Sequence, residues 1–306
     1  MFFAAKPTLC KNHDRSDHRG ALTVPYRHAY LWSALLFPAV ALAFWPSYFA
    51  RLPEVSWILH AHGVTASLWS ALTALQAWSI SRNRRPLHRL SGRTSLALFP
   101  IFWTSGLLII QVMAAGFLAK DNPFHSTYGA RLTPVDILTS AAILYLYFVA
   151  LSQRKSVLTH AAAMLAIPFF LLPPIFVRIL QVGGPFAIRG PDEFYKFGYG
   201  LELCNALSIA ATLWLWSRRP KTAWPFLFAA AAIALQSFAF ETIGRSPRWE
   251  QALVPLTNIP TGVIAALGLA ISTVVVWLGW TSAIRKRDDG SVGRFASTDG
   301  QTQPTP

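Results

Sequence analysis

The stretch from Thr94 to Ala119 reads TSLALFPIFWTSGLLIIQVMAAGFLA and contains no Asp, Glu, Lys, Arg or His. A helix that crosses a hydrocarbon core of about 30 Å needs roughly 20 mostly apolar residues, and this stretch is long enough. In lipid, a spanning segment must satisfy its own backbone polar groups, which favours a helix. The stretch is therefore predicted to be a transmembrane α-helix.

Seven further apolar runs have a similar length, at residues 28–50, 57–80, 133–151, 157–180, 197–216, 222–240 and 253–281. Together they predict an all-α, polytopic transmembrane bundle of about eight helices within residues 28–284. The tails at residues 1–27, which are basic, and at residues 285–306 have almost nothing to bury. Both tails are predicted to be disordered.

The composition excludes a water-soluble globule. Hydrophobic residues make up 53% of the chain and charged residues only 13%, whereas soluble domains carry about a quarter charged residues. The 12 Trp, 8 Tyr and 21 Phe fit a bilayer, where aromatic rings are enriched at the interfaces. The sequence therefore predicts a multi-pass membrane protein.

The basic residues set the predicted orientation. If eight helices alternate in direction, 19 of the 27 Lys and Arg residues lie on the side of both tails. Because cytoplasmic loops carry the excess of Lys and Arg, both termini are predicted to be cytoplasmic, in the cytoplasmic (inner) membrane. The net charge of +14 sits in short clusters between apolar runs. These clusters indicate anionic lipid headgroups as partners and argue against nucleic acid.

Two histidines at the cytoplasmic side are candidate cofactor ligands. His88 follows the second predicted helix, and His160 begins the fifth. Gln76 precedes His88, and Gln153 precedes His160. This weak similarity between the two segments suggests that they are parallel repeats. Imidazoles at one depth on different helices can bind the iron of a b-type haem. In the alternative interpretation, His88 belongs to a headgroup-binding loop and His160 caps or packs a helix.

A second group of polar side chains is predicted near the outer side. His62, Glu202 and Glu241 are candidate ligands for zinc or iron, because imidazole and carboxylate suit these ions. Since His60 and His62 are two residues apart, they point in nearly opposite directions on a regular helix. In the alternative, both histidines are interfacial and Arg178 pairs with Glu202. A polar cavity is predicted at His60, Gln76, Arg178 and Asn205.

Several enzyme signatures are missing from the sequence, namely H-E-x-x-H, a glycine-rich nucleotide loop and C-x-x-C. The absence of these motifs leaves open whether the chain is an enzyme. Two cysteines, Cys10 and Cys204, do not indicate a disulfide framework.

A resemblance covers roughly residues 45–180. It rests on His60-Ala61-His62-Gly63, on Trp69 and Gln76, and on Leu87-His88-Arg89-Leu90-Ser91-Gly92. The combination resembles a group of bacterial multi-pass membrane proteins that have an H-x-H-G helix start, an L-H-R-x-x-G loop and no established activity. The resemblance implies topology. A looser similarity to two-haem b-type membrane cytochromes implies at most an inner haem, because no second histidine within a helix pairs with His60 or His62 on the outer side.

The sequence leaves three functions open. The first is a redox or metal-binding membrane protein in which His88 and His160 bind haem b. The second is a small-solute or proton-coupled transporter in which Glu202 is the protonatable group. The third is a non-catalytic accessory subunit, with another membrane protein or a second copy of the chain as partner.

Overall fold

The computed structural model describes residues 26–295, with side chains described as far as residue 282. Within this range the chain is helical and contains no β-strand. The α-helices are α1 (Ala29–Phe44), α2 (Trp57–Ser81), α3 (Arg85–Ala119), α4 (Pro123–Ser152), α5 (Val157–Ala166), α6 (Leu172–Leu180), α7 (Tyr195–Arg218), α8 (Trp224–Glu241), α9 (Pro247–Asn258) and α10 (Thr261–Phe295). The prediction of an all-α protein is confirmed for this part of the chain.

Five helical segments are long and apolar enough to cross a membrane: Arg85–Ala119, Pro123–Ser152, Val157–Leu180, Trp224–Arg245 and Thr261–Ser282. These segments fit a multi-pass membrane protein. By the same measure α1 is too short, with 16 residues. In contrast, α2 and α7 are long enough but carry more polar groups, such as His60 and His62 in α2 and Lys196 and Glu202 in α7.

The fifth predicted span, 157–180, is built from two helices joined by a 3-10 turn at Ile167–Phe170. Pro168 lies in that turn, and Pro173 and Pro174 begin α6. Proline lacks a backbone N–H and clashes with the preceding turn, so it interrupts a regular helix. The interruption leaves α6 as a separate helix that ends close to Arg178.

The eighth predicted span, 253–281, begins in α9, and only its part from Thr261 belongs to α10. Pro260 separates the two helices, and Ile259 before it is extended, at φ −72° and ψ 126°. A residue before proline is disfavoured in the helical region, which accounts for the break. The Gln111 amide of α3 donates to the Ile259 carbonyl at 2.7 Å, so the carbonyl freed by the break is satisfied.

The C-terminal helix α10 runs to Phe295 and so includes residues 285–295 of the predicted tail. Arg and Lys, which fill residues 285–287, are good helix formers and fit this continuation. The predicted tails otherwise lie mostly outside the described residues, which exclude 1–25 and 296–306.

An aromatic cluster fixes the packing of α2, α3 and α4. Phe99 and Tyr147 stack with ring centroids 3.9 Å apart, and Trp69 stacks on Phe102 at 5.4 Å. The Tyr147 hydroxyl is 2.9 Å from Ser95 Oγ, so its polar end is bonded inside the core. Aromatic pairs of this kind contribute about 0.5–1.5 kcal/mol each beyond their buried area. The cluster holds these three helices together between the two candidate sites described below.

Candidate functional site

A cleft of about 590 Å³ opens between α4, the start of α7 and the end of α8. We call it the outer cleft, because it lies at the helix ends that the sequence assigns to the outer side. Its lining combines charged and aromatic side chains, among them Tyr128, Arg131, Tyr199, Glu202, Glu241 and Arg245. The predicted outer residues Glu202 and Glu241 therefore share one cleft.

Arg131 and Arg245 hold the same carboxylate. Arg131 Nη2 donates to Glu241 Oε1 at 2.8 Å, and Arg245 contacts Glu241 Oε2. The Arg131 guanidinium also lies over the Phe240 ring, 4.0 Å from its centroid. Because both oxygens of Glu241 are engaged, this carboxylate has little capacity left for a metal ion.

A close backbone contact places Arg131 opposite Glu241. Gly244 lies in the 3-10 turn that follows α8, and a Cβ atom there would be 2.6 Å from the Arg131 Cα. Only a residue without a side chain allows this approach. The turn after α8 is therefore pressed against α4 at the position where the ion pair forms.

Glu202 has no such partner. Its Oε1 atom is buried and accepts no hydrogen bond, and within residues 26–282 Glu202 forms no ion pair within 4.0 Å. Arg131, in the same cleft, has a buried Nε atom that also lacks a hydrogen-bond partner. The cleft therefore presents an acceptor and a donor that the protein leaves unsatisfied.

His62 lies elsewhere, at the interface of α2 and α3. Its Nδ1 is 3.3 Å from Ser105 Oγ, and its ring stacks on Phe102. His60 points to a different side and lies 2.9 Å from the Tyr48 hydroxyl, as the spacing of two residues on a helix requires. No group of three or more His, Cys, Asp or Glu side chains in the described part of the chain is arranged to hold a metal ion. A site of His62, Glu202 and Glu241 thus has no geometric support.

The remaining residues of the predicted polar cavity have separate partners. Arg178 Nη1 donates to the Pro174 carbonyl at 2.6 Å, and its guanidinium lies over Phe44. Asn205 donates to Ser237 Oγ at 2.9 Å, which joins α7 to α8. The Gln76 side chain is buried in α2. Together with His60, these side chains lie outside the outer cleft.

Asp136 is an ionisable residue in α4, inside an apolar run, that was not predicted as part of a site. Arg178 forms no ion pair within 4.0 Å in residues 26–282, so the alternative pairing of Arg178 with Glu202 is not present there. An acidic residue within an apolar helix is expensive in lipid, and this signal was present in the sequence. Arg131 and Arg245 were counted only as loop charges, although both line the cleft.

His88, near the start of α3, and His160, in α5, form a second candidate site. It lies at the side that the sequence assigns to the cytoplasm, and we call it the histidine pair. Their ring centroids are 6.4 Å apart and their planes are nearly perpendicular, at 87°. His160 Nδ1 lies 2.7 Å from the Ala150 carbonyl. Because a carbonyl can only accept, Nδ1 carries the proton and Nε2 is left with a free lone pair. His88 Nδ1 is buried and has no hydrogen-bond partner.

Comparisons of this chain with family models, with curated proteins and with solved structures gave no match.

Proposed function

We propose that the chain crosses the cytoplasmic membrane eight times, with both termini in the cytoplasm. The first crossing is residues 28–50, which contain α1, and the others are α2, α3, α4, the α5–α6 unit, α7, α8 and α10. The distribution of Lys and Arg supports this orientation. It also puts the histidine pair at the cytoplasmic side and the outer cleft at the opposite side.

Cysteine labelling tests the orientation. In a chain with Cys10 and Cys204 replaced by Ser, a membrane-impermeant maleimide should label Val182→Cys in intact cells. Arg82→Cys should react only after permeabilisation. Both positions are exposed and lie in connectors on opposite sides. Labelling of Arg82→Cys in intact cells would reverse the proposed orientation.

We further propose that the protein is a histidine-based membrane redox or metal-binding protein, with His88 and His160 as the ligands. The histidine pair carries this proposal. The two ring centroids lie 6.4 Å apart, so one metal ion could be held by both imidazoles. Metal-binding histidines commonly donate their other N–H to a carbonyl, as His160 does to Ala150.

Haem b is the group that we propose for this pair, because histidine side chains commonly hold haem iron. The bound haem would supply one-electron transfer. His160, fixed by its bond to Ala150, would present Nε2 as one ligand, and the unsatisfied His88 ring would present the other.

A reduced-minus-oxidised absorption spectrum of the protein, purified in mild detergent from haem-replete cells, tests this function. We expect a Soret shift with sharp α and β bands, and we expect their loss in His88→Ala and in His160→Ala. The matched control is His28→Ala, which removes an exposed histidine that makes no side-chain cap. A flat spectrum from folded protein would refute the haem proposal. If His88→Ala and His160→Ala both give the wild-type spectrum, the assignment of these histidines as ligands is refuted.

A second candidate function is a small-solute or proton-coupled transporter in which Glu202 is the protonatable group. The unsatisfied Glu202 Oε1 favours it, because an unpaired carboxylate within a membrane helix is expensive unless it is used. Glu202→Gln should abolish substrate-driven proton uptake in proteoliposomes while the melting temperature is retained. Unchanged uptake would remove Glu202 from the mechanism.

A further inference from the structure

The charges of the outer cleft leave one positive and one negative group uncompensated. Arg131 and Arg245 share the single carboxylate of Glu241, so one positive charge remains. Glu202 has no ion-pair partner within the described part of the chain, so one negative charge remains. A ligand with charge of a single sign would match only one of these groups. A ligand that carries a positive group and a negative group would match both.

The side chains that carry these charges all line the cleft. Glu202 and Arg245 belong to the lining, and the Arg245 side chain is 56% exposed. Arg131 lines the cleft as well, with its guanidinium over the Phe240 ring. A ligand with an ammonium at one end and oxygen acceptors at the other would match Glu202 and the arginines together.

The aromatic side chains of the cleft favour an ammonium near Glu202. Tyr195 and Tyr199 are on the same helix as Glu202 and are 58% and 67% exposed. Their rings meet edge to face, with centroids 6.0 Å apart, at the mouth of the cleft. A cation over an aromatic face gains about 0.5–1 kcal/mol at exposed sites. Carboxylate and tyrosine rings together therefore form a surface suited to an organic ammonium group.

The arginine end favours a phosphate. Guanidinium groups bind phosphate oxygens through paired N–H donors, and these charge-assisted bonds are about twice as strong as neutral ones. Arg245 is more than half exposed, and both Arg245 and Arg131 line the cleft, so their guanidinium groups can contribute to such a contact.

We propose that the outer cleft binds an ammonium linked to a phosphate, with Glu202 receiving the ammonium and Arg245 and Arg131 receiving the phosphate. The headgroup of an aminophospholipid has this chemistry, and so does a free aminoalkyl phosphate. This inference deepens the second candidate function, because it names the ligand class of the Glu202 site, and it makes no use of the histidine pair. Glu202 therefore acts as the counter-ion of a ligand.

Isothermal titration of the full-length chain in detergent tests the proposal, with O-phosphoethanolamine as the probe. We expect it to bind at least tenfold more tightly than ethanolamine, which lacks the phosphate, and than inorganic phosphate, which lacks the ammonium. Glu202→Gln and Arg245→Gln should each lose at least tenfold in affinity. Glu54→Gln is the matched control, because Glu54 is an exposed outer carboxylate that does not line the cleft.

A second measurement distinguishes the two sources of the ligand. Native mass spectrometry after extraction from vesicles of equal phosphatidylethanolamine and phosphatidylglycerol should show retained phosphatidylethanolamine if the ligand is a headgroup. Loss of that retention in Glu202→Gln, but not in Glu54→Gln, supports a lipid ligand in this cleft. Binding of the soluble probe without lipid retention supports a free ligand.

Absence of both signals in monodisperse protein would overturn the proposal, as would wild-type affinity in Glu202→Gln. Tyr199→Leu provides a variant that keeps every charge of the cleft, and it should weaken probe binding several-fold. The absorption spectrum of the same preparation reports on His88 and His160 separately. If neither the probe nor the lipid binds, the haem proposal is unaffected. A flat absorption spectrum, in turn, does not affect the proposed ligand of the outer cleft.

Discussion

Gly244→Ala should destabilise the protein and disturb the outer cleft. The added Cβ would lie 2.6 Å from Arg131 Cα and 2.8 Å from the Arg131 carbonyl oxygen. Non-bonded carbon atoms prefer a separation of about 3.5–4.0 Å. Both opposing atoms belong to the backbone, so no side chain can rotate to make room. The turn after α8 and α4 must therefore move apart by roughly 1 Å, which weakens the contact between Arg131 and Glu241.

The expected size of the effect follows from this overlap. Overpacking a close interface costs typically about 1–3 kcal/mol. For chains of roughly 150–250 residues, each 1 kcal/mol lowers the melting temperature by about 2–4 °C. We therefore expect Gly244→Ala to melt roughly 2–12 °C below the wild type, with a weaker affinity for O-phosphoethanolamine in the cleft.

Thermal unfolding in one detergent, followed by the fluorescence of the buried tryptophans, measures this shift. Gly183→Ala is the matched control, because a Cβ there meets nothing within 4 Å and Gly183 is also outside the α-helices. A change from Gly to Ala at such a position is neutral or gains up to about 1 kcal/mol through the unfolded chain. Coincident melting curves for the two variants would refute the close approach of α4 and the turn after α8.

Two further substitutions test the polar groups outside the two sites. Asp136→Asn should lower the melting temperature more than Asp192→Asn, because Asp136 carries the negative charge that acts on Arg178, at more than 4.0 Å, whereas Asp192 is exposed; equal melting temperatures would contradict this. The Lys196 ammonium, at 2.6 Å, holds the pKa of the Glu193 carboxyl below its usual range, and the Arg189 N–H adds to this. The contribution of this contact to stability is thus complete above a pH of about 4.3, where unfolded Glu is ionised, and is lost as the pH falls through the lower folded pKa. In a carbon NMR titration Lys196→Met should raise the midpoint of Glu193, and an unchanged midpoint would refute the assignment.

Depth along the helices could be predicted from the sequence, because it follows from counting residues. Counting residues placed His88 and His160 at the same depth, and their ring centroids are 6.4 Å apart. It also placed Glu202 and Glu241 at the same depth, and both residues line the outer cleft. The wider prediction of an all-α protein with several apolar helices followed from the length of the uncharged runs. Such runs suit a lipid bilayer, in which a helix satisfies its own backbone polar groups.

The direction of each side chain around its helix could not be predicted in the same way. Whether Arg178 meets Glu202 depends on which helices are neighbours and on how each is rotated. Depth alone suggested this pairing, and residues 26–282 contain no ion pair of Arg178 within 4.0 Å. The break at Pro260 was also unresolved, because proline is tolerated in membrane helices when its neighbours satisfy the freed groups. Gln111, far away in sequence, supplies that partner to Ile259.

The unsatisfied polar atoms argue that the two sites are used for binding. A buried donor or acceptor without a partner costs about 1–3 kcal/mol. Six side-chain atoms of this kind occur in the described part of the chain, and three of them belong to Glu202, Arg131 and His88. The other three belong to Trp69, Thr104 and Gln181 and lie outside both sites. Glu202 and Arg131 line the outer cleft, between α4, α7 and α8, whereas His88 belongs to the histidine pair, between α3 and α5. Ligands that supply these missing bonds should therefore raise the melting temperature of the wild type, but not that of Glu202→Gln or His88→Ala for their respective sites.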